Sequence, residues 1–236
     1  MKWENNLIKH LQWPTAIINR EAKEKVAREI ADKVHNGNII GAGSGSTVHL
    51  ALFYIADKIK TENLQITIIP ASIETYMTCL QLELPQTTLL EARPDWTFDG
   101  ADEVDPEYNL IKGRGGAMFK EKLLISSSDE TYILVDESKL VKQLGTHFPI
   151  PVEVFPGALS YVENSLKELK AREIILRSAQ GKDGPVITEN GNYILDVRFG
   201  QINTELEKEI KIIPGVIESG LFIGYPIHLL VTKTGQ

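Results

Sequence analysis

A glutamate in the middle of an apolar helix face is the side chain of this sequence best suited to move a proton. The run 116–126 has helical spacing, and Glu121 is flanked there by Lys120 and Lys122. Four apolar residues surround Glu121 on its face of the helix: Ala117, Met118, Leu124 and Ile125. A carboxylate that faces a protein interior is rare unless it is paired or functional. We therefore predict that Glu121 is a general base, and the alternative is a buried Glu–Lys pair with a structural role.

Four acids lie within seven residues in the segment DGADEVD at 99–105, called here the acidic segment, which directly follows a strand-like run at 96–98. Acids at the end of a strand can bind sugar hydroxyls or transfer protons. The acids closest to that strand are Asp99 and Asp102, with Gly100 and Ala101 between them. The alternatives are a solvated loop and a magnesium site, since hard cations favour carboxylates. The five histidines, at 10, 35, 49, 147 and 228, show no metal-ligand spacing, so we predict that no metal is bound.

A glycine-rich sequence, GAGSGST at 41–47, joins a predicted strand to a predicted helix and is called here the glycine turn. Glycines let the backbone approach an anion closely, and free N–H groups at a helix start attract phosphate. The candidate contacts are Ser44, Gly45, Ser46 and Thr47. The dinucleotide fingerprint does not fit because Ser46 occupies its third glycine position, and the P-loop does not fit because no Gly-Lys-Ser/Thr follows. The alternative is a tight strand-to-helix turn with Ser46 as the N-cap.

Two further segments place cations beside glycines or at a strand end. Lys112 and Arg114 lie in a glycine run at 112–116, the glycine loop, whose position before a helix suits an oxyanion or a phosphate. The candidate cations are Lys112 and Arg114, which alternate with Gly113 and Gly115. Lys139 follows the predicted strand 131–135 and could reach a phosphate. The alternatives are a glycine-rich helix lead-in with ordinary surface charges and a capped helix start with a surface lysine.

Helix and strand patterns alternate through the first 145 residues, which predicts a mostly parallel sheet covered by helices on both faces. The predicted strands of this part are 38–42, 66–69, 88–90, 96–98 and 131–135. In such a sheet, ligands bind beyond the carboxyl ends of the strands. The glycine turn, the acidic segment and Lys139 each follow a predicted strand, so we expect them at that edge.

The pattern changes after Gly145, where the prolines of FPIPVEVFP mark a connection. A strand, a helix, a strand at 173–176, a hairpin that turns at Asn190-Gly191 and a helix at 204–211 predict a compact βαββα unit. The Asn-Gly pair favours a type I′ turn. Two apolar runs in the tail, LFIGYPIHLLVTK, could rejoin the first sheet. We predict a catalytic domain over 1–146 plus 215–236 and a smaller α/β domain over 147–214.

The acidic composition excludes one class of partner and favours one compartment. The formal net charge of the 236 residues is -7, whereas nucleic-acid binding draws most of its affinity from Lys and Arg. The single cysteine, Cys79, allows no internal disulfide and fits a reducing compartment. The start, MKWENNLIKHLQWP, lacks a signal-peptide core, and no apolar run has the length of a membrane span. We expect a cytoplasmic protein without nucleic-acid or membrane partners.

From the glycine turn to its end, the sequence resembles type A ribose-5-phosphate isomerase. The most specific block is DGADEVDPEYNLIKGRGGAMFKEKLL, and VDESKLVKQLG, FPIPVEVFP, TENGNYILDV and IPGVIESGLF also match. The resemblance implies a Rossmann-like α/β domain with a mostly parallel sheet and a smaller ferredoxin-like α/β domain, without an organic cofactor or a metal. It implies interconversion of ribose 5-phosphate and ribulose 5-phosphate through an enediolate, in a homodimer or a dimer of dimers.

The resemblance also implies roles for individual residues. It places the family's base at Glu121, with Lys112 and nearby amides stabilising the developing oxyanion. Asp99 and Asp102 would hold hydroxyls, and Asp99 would also help to open the sugar ring. The implied substrate contacts are 44–47, 99–102, 112–115, Lys139 and, for the phosphate, a weaker contact from Lys23. In two places this sequence differs from the family. Ser44 stands where many members have Thr, and Arg114 replaces a common glycine, which puts the backbone freedom of the glycine loop in question.

Two other classes of function compete with an isomerase. A sugar-phosphate sensor can share this architecture, but such regulators usually carry an N-terminal helix-turn-helix, and here only about twenty non-basic residues precede the first core helix. A nicotinamide dehydrogenase is disfavoured by the glycine spacing. A turnover assay without added nucleotide separates the three, because a sensor only binds its ligand.

Overall fold

The computed structural model of this chain describes residues 6–11 and 16–233. In chain order the helices are α1 (Asn6–Lys9), α2 (Arg20–Asp32), α3 (Ser46–Glu62), α4 (Ile73–Gln81), α5 (Met118–Ser127), α6 (Leu159–Glu168) and α7 (Leu206–Lys211). The strands are β1 (Ile39–Ala42), β2 (Thr67–Pro70), β3 (Trp96–Asp99), β4 (Glu103–Val104), β5 (Leu110–Ile111), β6 (Glu130–Asp136), β7 (Ile150–Val154), β8 (Ala171–Leu176), β9 (Tyr193–Phe199), β10 (Val216–Ser219), β11 (Leu221–Phe222) and β12 (His228–Thr232). The chain folds into two compact units.

A five-stranded parallel sheet forms the centre of the first unit, which comprises Met1–Gly100, Leu123–Ser138 and Pro226–Gln236. Its strand order is β12-β6-β3-β1-β2, and every neighbouring pair runs parallel. The inner strands β1 and β3 are short and largely buried on both faces, as expected where helices cover a parallel sheet. The core of this unit includes Val26, Ile30, Ile40, Leu52, Ile55, Ile68 and Phe98. The predicted parallel sheet is confirmed.

Two antiparallel sheets form the second unit, which comprises Ala101–Lys122 and Lys139–Tyr225. The larger has the order β10-β7-β9-β8, and the smaller has the order β11-β5-β4. Apolar residues of α6 and α7 pack on the larger sheet, and its core includes Val152, Val162, Leu166, Leu195 and Ile210. The predicted smaller α/β unit is confirmed. The domain boundaries predicted from the sequence, 1–146 plus 215–236 and 147–214, stay a prediction.

Two local predictions about short segments are wrong. Residues 88–90 form a turn instead of a strand, because the Thr88 carbonyl accepts the N–H groups of Glu91 and Ala92, which leaves Leu90 97% exposed. The hairpin near 190 is present, but its turn is not type I′. The Gly191 N–H donates to the Thr188 carbonyl at 2.9 Å, and Gly191 alone takes a positive φ, of 79°. The hairpin is therefore a type I turn followed by a left-handed glycine.

The tail divides between the two units. β12 pairs with β6 and completes the parallel sheet, as predicted for one of the two apolar runs. β11 instead pairs antiparallel with β5, so the prediction that the first run could rejoin the parallel sheet is wrong. Residues 1–5 and 12–15 of the N-terminal segment lie outside the described residues. Among the helices that the structure describes, none combines the length and apolar character needed to cross a bilayer.

Candidate active site

The glycine turn connects β1 to α3, and its last glycine caps the helix. Gly45 is the N-cap, with a φ of 94° that glycine adopts without strain, and α3 begins at Ser46. The interpretation of Ser46 as the N-cap is therefore wrong, because the backbone change that starts the helix occurs one residue earlier. Ser46 accepts a 3.1 Å hydrogen bond from the Lys23 ammonium group on α2. The resemblance implies Lys23 as a weaker phosphate contact, and its ammonium group thus lies beside the start of α3.

Two glycines of the first unit make room for side chains of the neighbouring strand β3. A Cβ at Gly43 would lie 1.9 Å from the Asp99 carboxyl carbon, and a Cβ at Gly41 would lie 2.1 Å from the Thr97 hydroxyl oxygen. Asp99 is fully buried, and its Oδ1 accepts the N–H groups of Ser44 at 3.2 Å and Gly100 at 2.7 Å. The carboxylate of Asp99 thus lies against the glycine turn, as the shared sheet edge predicts.

Support for the glycine turn also comes from α4, which the sequence did not indicate. The Thr75 hydroxyl donates a 2.6 Å hydrogen bond to the Gly43 carbonyl. Ser72, the N-cap of α4, accepts the Thr75 N–H at 3.1 Å, and both side chains are buried. The only local signal was Ser72 before a helical run, which predicts a cap but not a contact with residue 43.

In the second unit, acids of the acidic segment bind backbone N–H groups. Glu103 is fully buried on β4. Its carboxylate accepts the N–H groups of Gly145, His147 and Phe148. Asp102 accepts the Arg114 N–H at 3.2 Å, and Asp105 accepts two N–H groups of its own turn. The alternative of a solvated acidic loop is therefore wrong for these carboxylates, which instead order the backbone around them.

Lys112 and Glu121 form an ion pair that is almost completely buried. The Lys112 ammonium nitrogen lies 3.3 Å from Glu121 Oε2, and the two side chains are 3% and 4% exposed. Lys112 directly follows β5 and its N–H donates to the Gly220 carbonyl at 2.9 Å, while Glu121 lies in the first turn of α5. The predicted burial of Glu121 is confirmed, and its partner is Lys112. The Lys112 ammonium group also lies 5.7 Å from the ring centroid of Phe222.

Phe222 and Lys122 are two residues of this region that the sequence did not single out. The helical pattern placed Lys122 beside the apolar face, yet it is buried. Its ammonium group pairs with Glu207 at 2.6 Å and Glu218 at 2.9 Å, and lies 4.6 Å from the Phe222 ring centroid. These partners come from distant parts of the chain, so no local spacing could have indicated them.

The glycine loop needs backbone freedom at Gly113 and Gly116, where φ is 93° and 85°. A Cβ at Gly113 would lie 2.9 Å from the Met118 Cβ. Arg114 is exposed and does not take a positive φ. The exchange of a common family glycine for Arg114 therefore imposes no backbone strain, which answers the question raised by the sequence.

The charges around Asp102 show which of the predicted residues lie close together in the second unit. Loss of contact with water raises the pKa of Asp102 above its ordinary value, and the Glu121 carboxylate adds to that rise. The Lys112 charge, the Arg114 N–H and the Lys139 charge oppose it. Asp102 therefore takes up a proton more readily than an exposed aspartate. Lys139, half-buried, has its ammonium group 5.0 Å from the ring centroid of Phe148.

Within the described ranges 6–11 and 16–233, no group of three or more His, Cys, Asp or Glu side chains has the arrangement of a metal site. The acids of the second unit described above accept backbone N–H groups, which leaves fewer lone pairs for a cation.

Comparison with known proteins identifies the family of the chain. The family model for ribose 5-phosphate isomerase A (phosphoriboisomerase A) matches residues 67–235, which include the acidic segment, the glycine loop and Lys139. The chain belongs to the ribose 5-phosphate isomerase A family. Ribose-5-phosphate isomerase A of Methanocaldococcus jannaschii is 46% identical over 220 residues, which cover 92% of this chain and 96% of that protein.

Solved structures of family members have the same fold. The structure of the M. jannaschii enzyme superposes with a TM-score of 0.87 at 45% identity, covering 91% of this chain and 95% of that one. A D-ribose-5-phosphate isomerase in complex with phospho-erythronic acid superposes with a TM-score of 0.88 at 36% identity, again covering 91% and 95%. The fold predicted from the sequence is therefore that of the family.

Proposed function

We propose that this chain is a ribose-5-phosphate isomerase that interconverts D-ribose 5-phosphate and D-ribulose 5-phosphate. Family membership supports the reaction, and the observation that carries the mechanism is the buried Lys112–Glu121 pair. A carboxylate and an ammonium group 3.3 Å apart in a dry environment are the two groups that an enediolate mechanism requires.

Glu121 would act as the base and Lys112 as the electrophile. Glu121 removes the proton from C2 of the open-chain aldose, and the electron pair left on C2 moves toward the C1 carbonyl oxygen, which becomes an enediolate oxygen. Lys112 stabilises that developing negative charge. Glu121 then returns the proton to C1, while a second proton moves from the oxygen on C2 to the oxygen on C1. A positioned base of this kind contributes about 10² to 10⁴ in rate.

We assign the hydroxyls of the sugar to Asp99, Asp102 and the amides beside them, with Asp99 also helping to open the furanose ring. The raised pKa of Asp102, caused chiefly by loss of contact with water, suits a group that exchanges hydrogen bonds or protons with a sugar. In the glycine loop, the contacts would come from Gly113, Arg114 and Gly115.

We assign the phosphate to the glycine turn and to lysine side chains. The turn ends at the N-terminus of α3, where backbone N–H groups and the helix dipole favour an anion without adding net positive charge. The hydroxyls of Ser44, Ser46 and Thr47 would add donors. Lys23 already donates to Ser46, and Lys139 would supply a second cation. Backbone amides and a few lysines would let a chain of net charge -7 hold a doubly charged phosphate.

The relative solved with phospho-erythronic acid supports this assignment of substrate class. As its name states, that ligand carries both a phosphate and a carboxylic acid group. An enediolate that bears a phosphate presents a similar distribution of negative charge. We also propose that the enzyme is cytoplasmic, needs neither cofactor nor metal, and works as a homodimer or a dimer of dimers, which rests on its resemblance to the family.

The test is a coupled assay with ribose 5-phosphate as the substrate and no nucleotide added. We expect ribulose 5-phosphate to form with saturation kinetics, and unphosphorylated ribose to react very poorly because it lacks the group that anchors it. A protein that binds ribose 5-phosphate without converting it would contradict the proposal and favour a sensor.

A further inference from the structure

The guanidinium group of Arg177 is held in a fixed direction at the end of β8. Its Nε donates a 2.8 Å hydrogen bond to one carboxylate oxygen of Asp196 on β9, and its Nη2 donates to the other oxygen. The two side chains are only 17% and 19% exposed. Because the N–H donors of arginine lie in one plane, an ion pair through Nε and Nη2 fixes the direction of Nη1.

The remaining nitrogen of Arg177 points at the glycine loop. Nη1 donates a 2.9 Å hydrogen bond to the Arg114 carbonyl and lies 3.4 Å from the Gly113 carbonyl. Arg177, Asp196 and the glycine loop all belong to the second unit. An arginine that directly follows β8 therefore holds the main chain that links Lys112 to the helix of Glu121.

Because Arg177 holds the Gly113 and Arg114 carbonyls, it also sets the direction of the N–H groups in the same two peptides. A trans peptide points its C=O and N–H to opposite sides, and the structure describes no cis peptide in its residues. The peptide between Gly113 and Arg114 shows this, since its carbonyl faces Arg177 while its N–H donates to Asp102 at 3.2 Å. In the peptide between Arg114 and Gly115, the carbonyl also accepts a hydrogen bond from Arg177. The Gly115 N–H must therefore point away from Arg177.

We propose that Arg177 is a positioning residue for the isomerisation. Its ion pair with Asp196 holds two peptides of the glycine loop so that the Gly115 N–H, together with Lys112, faces the oxyanion that develops on the substrate. The charge of Arg177 is balanced by Asp196, so its contribution is orientation instead of attraction for an anion. Oxyanion donors accelerate a reaction only when they are oriented beforehand. This inference rests on the proposed function.

Substitution of Arg177 tests the proposal through kcat. Loss of one oxyanion donor costs about 10² to 10³ in kcat, and a donor that is present but poorly oriented costs less. We therefore expect Arg177→Ala to lower kcat by about 10-fold to 100-fold with a smaller change in KM. Arg177→Lys should lose nearly as much, because lysine keeps the charge but not the planar fork. Arg172 is an exposed arginine on β8, and Arg172→Ala is the matched control that should retain wild-type kcat.

Two further measurements separate positioning from a general effect on the fold. Added guanidinium or ethylguanidinium should restore part of the kcat of Arg177→Ala and none of the kcat of Glu121→Gln. Amide hydrogen exchange at residues 113–116 should be faster in Arg177→Ala than in the wild type. If Arg177→Ala fails to fold, Arg177→Lys and Asp196→Asn are measured in the same way.

The proposal is overturned by an unchanged kcat in the Arg177 variants, or by a loss of kcat that only follows the loss of folded protein and is not rescued by guanidinium. Failure of the proposed function is a different outcome. In that case the folded wild type does not convert ribose 5-phosphate, while the exchange measurement still reports whether Arg177 orders the glycine loop.

Discussion

Replacement of Glu121 by glutamine separates a catalytic carboxylate from a structural one. The substitution keeps the volume and an acceptor for Lys112 but removes the charge. At the observed separation of 3.3 Å, the attraction within the pair is about 5 kcal/mol for an effective dielectric constant of about 20. Much of that attraction offsets the cost of burying both charges. The variant loses stability because the Lys112 ammonium group stays buried without the Glu121 carboxylate, which costs about 3 kcal/mol.

A loss of this size should leave Glu121→Gln folded, because domains of this kind have unfolding free energies of about 5–15 kcal/mol. Its activity should fall much further. Without the base, kcat should decrease by at least about 100-fold, while ribose 5-phosphate still binds. Urea denaturation measures the free energy of unfolding. A coupled isomerase assay measures kcat, and calorimetry measures the binding of ribose 5-phosphate.

Glu218→Gln is the matched control for this experiment. Glu218 is also a buried carboxylate, and it is paired with Lys122 at 2.9 Å and with Lys211 at 3.0 Å, but the proposed mechanism does not use it. We expect a comparable loss of stability and a wild-type kcat. The reasoning is refuted if Glu121→Gln keeps more than about a tenth of the wild-type turnover, or if the two variants lose activity equally.

Three other predictions address binding, metals and pH. Lys139→Ala should weaken ribose 5-phosphate about tenfold or more in calorimetry and leave ribose unaffected, and equal losses for both ligands would show that Lys139 does not bind the phosphate. Activity should survive exhaustive chelation because Lys112 supplies the electrophile, and a loss restored by magnesium would instead make Asp99 and Asp102 ligands. Burial by itself would raise the pKa of Glu218, but Lys122, the Ser219 N–H and Lys211 together lower it. The stability that Glu218 contributes is therefore complete above the ordinary pKa of a glutamate and is lost as the pH falls through the lower folded pKa. In urea titrations at acidic pH, the Glu218→Gln variant should lack that decline, and an unchanged pH dependence would contradict this.

The parts of this molecule that follow from local periodicity could be predicted from the sequence. Alternating helical and strand-like patterns gave the parallel sheet, and the position of Glu121 among apolar neighbours gave its burial, which the structure puts at 4% exposure. Both depend on residues a few positions apart, where the backbone period alone decides which side chains share a face.

The remaining features depend on contacts between distant segments. The burial of Lys122 depends on its ion pairs with Glu207 and Glu218. The orientation of the Arg177 guanidinium group depends on Asp196 and on a loop more than sixty residues away in the sequence. Short apolar runs were also ambiguous, since 88–90 has a strand-like composition but closes a turn. Strand formation needs a neighbouring edge to pair with, and composition does not report whether one is there.

The close packing of β1 against β3 limits how this site could be transplanted. An engineer who grafted only the glycine turn onto another sheet would leave Gly41 and Gly43 beside unrelated side chains, and the cavities left by the missing β-carbons would be empty. In this chain those cavities hold Thr97 and Asp99. The smallest module that can be moved is therefore a pair of adjacent parallel strands, with two glycines on one and a threonine and an aspartate at the facing positions of the other.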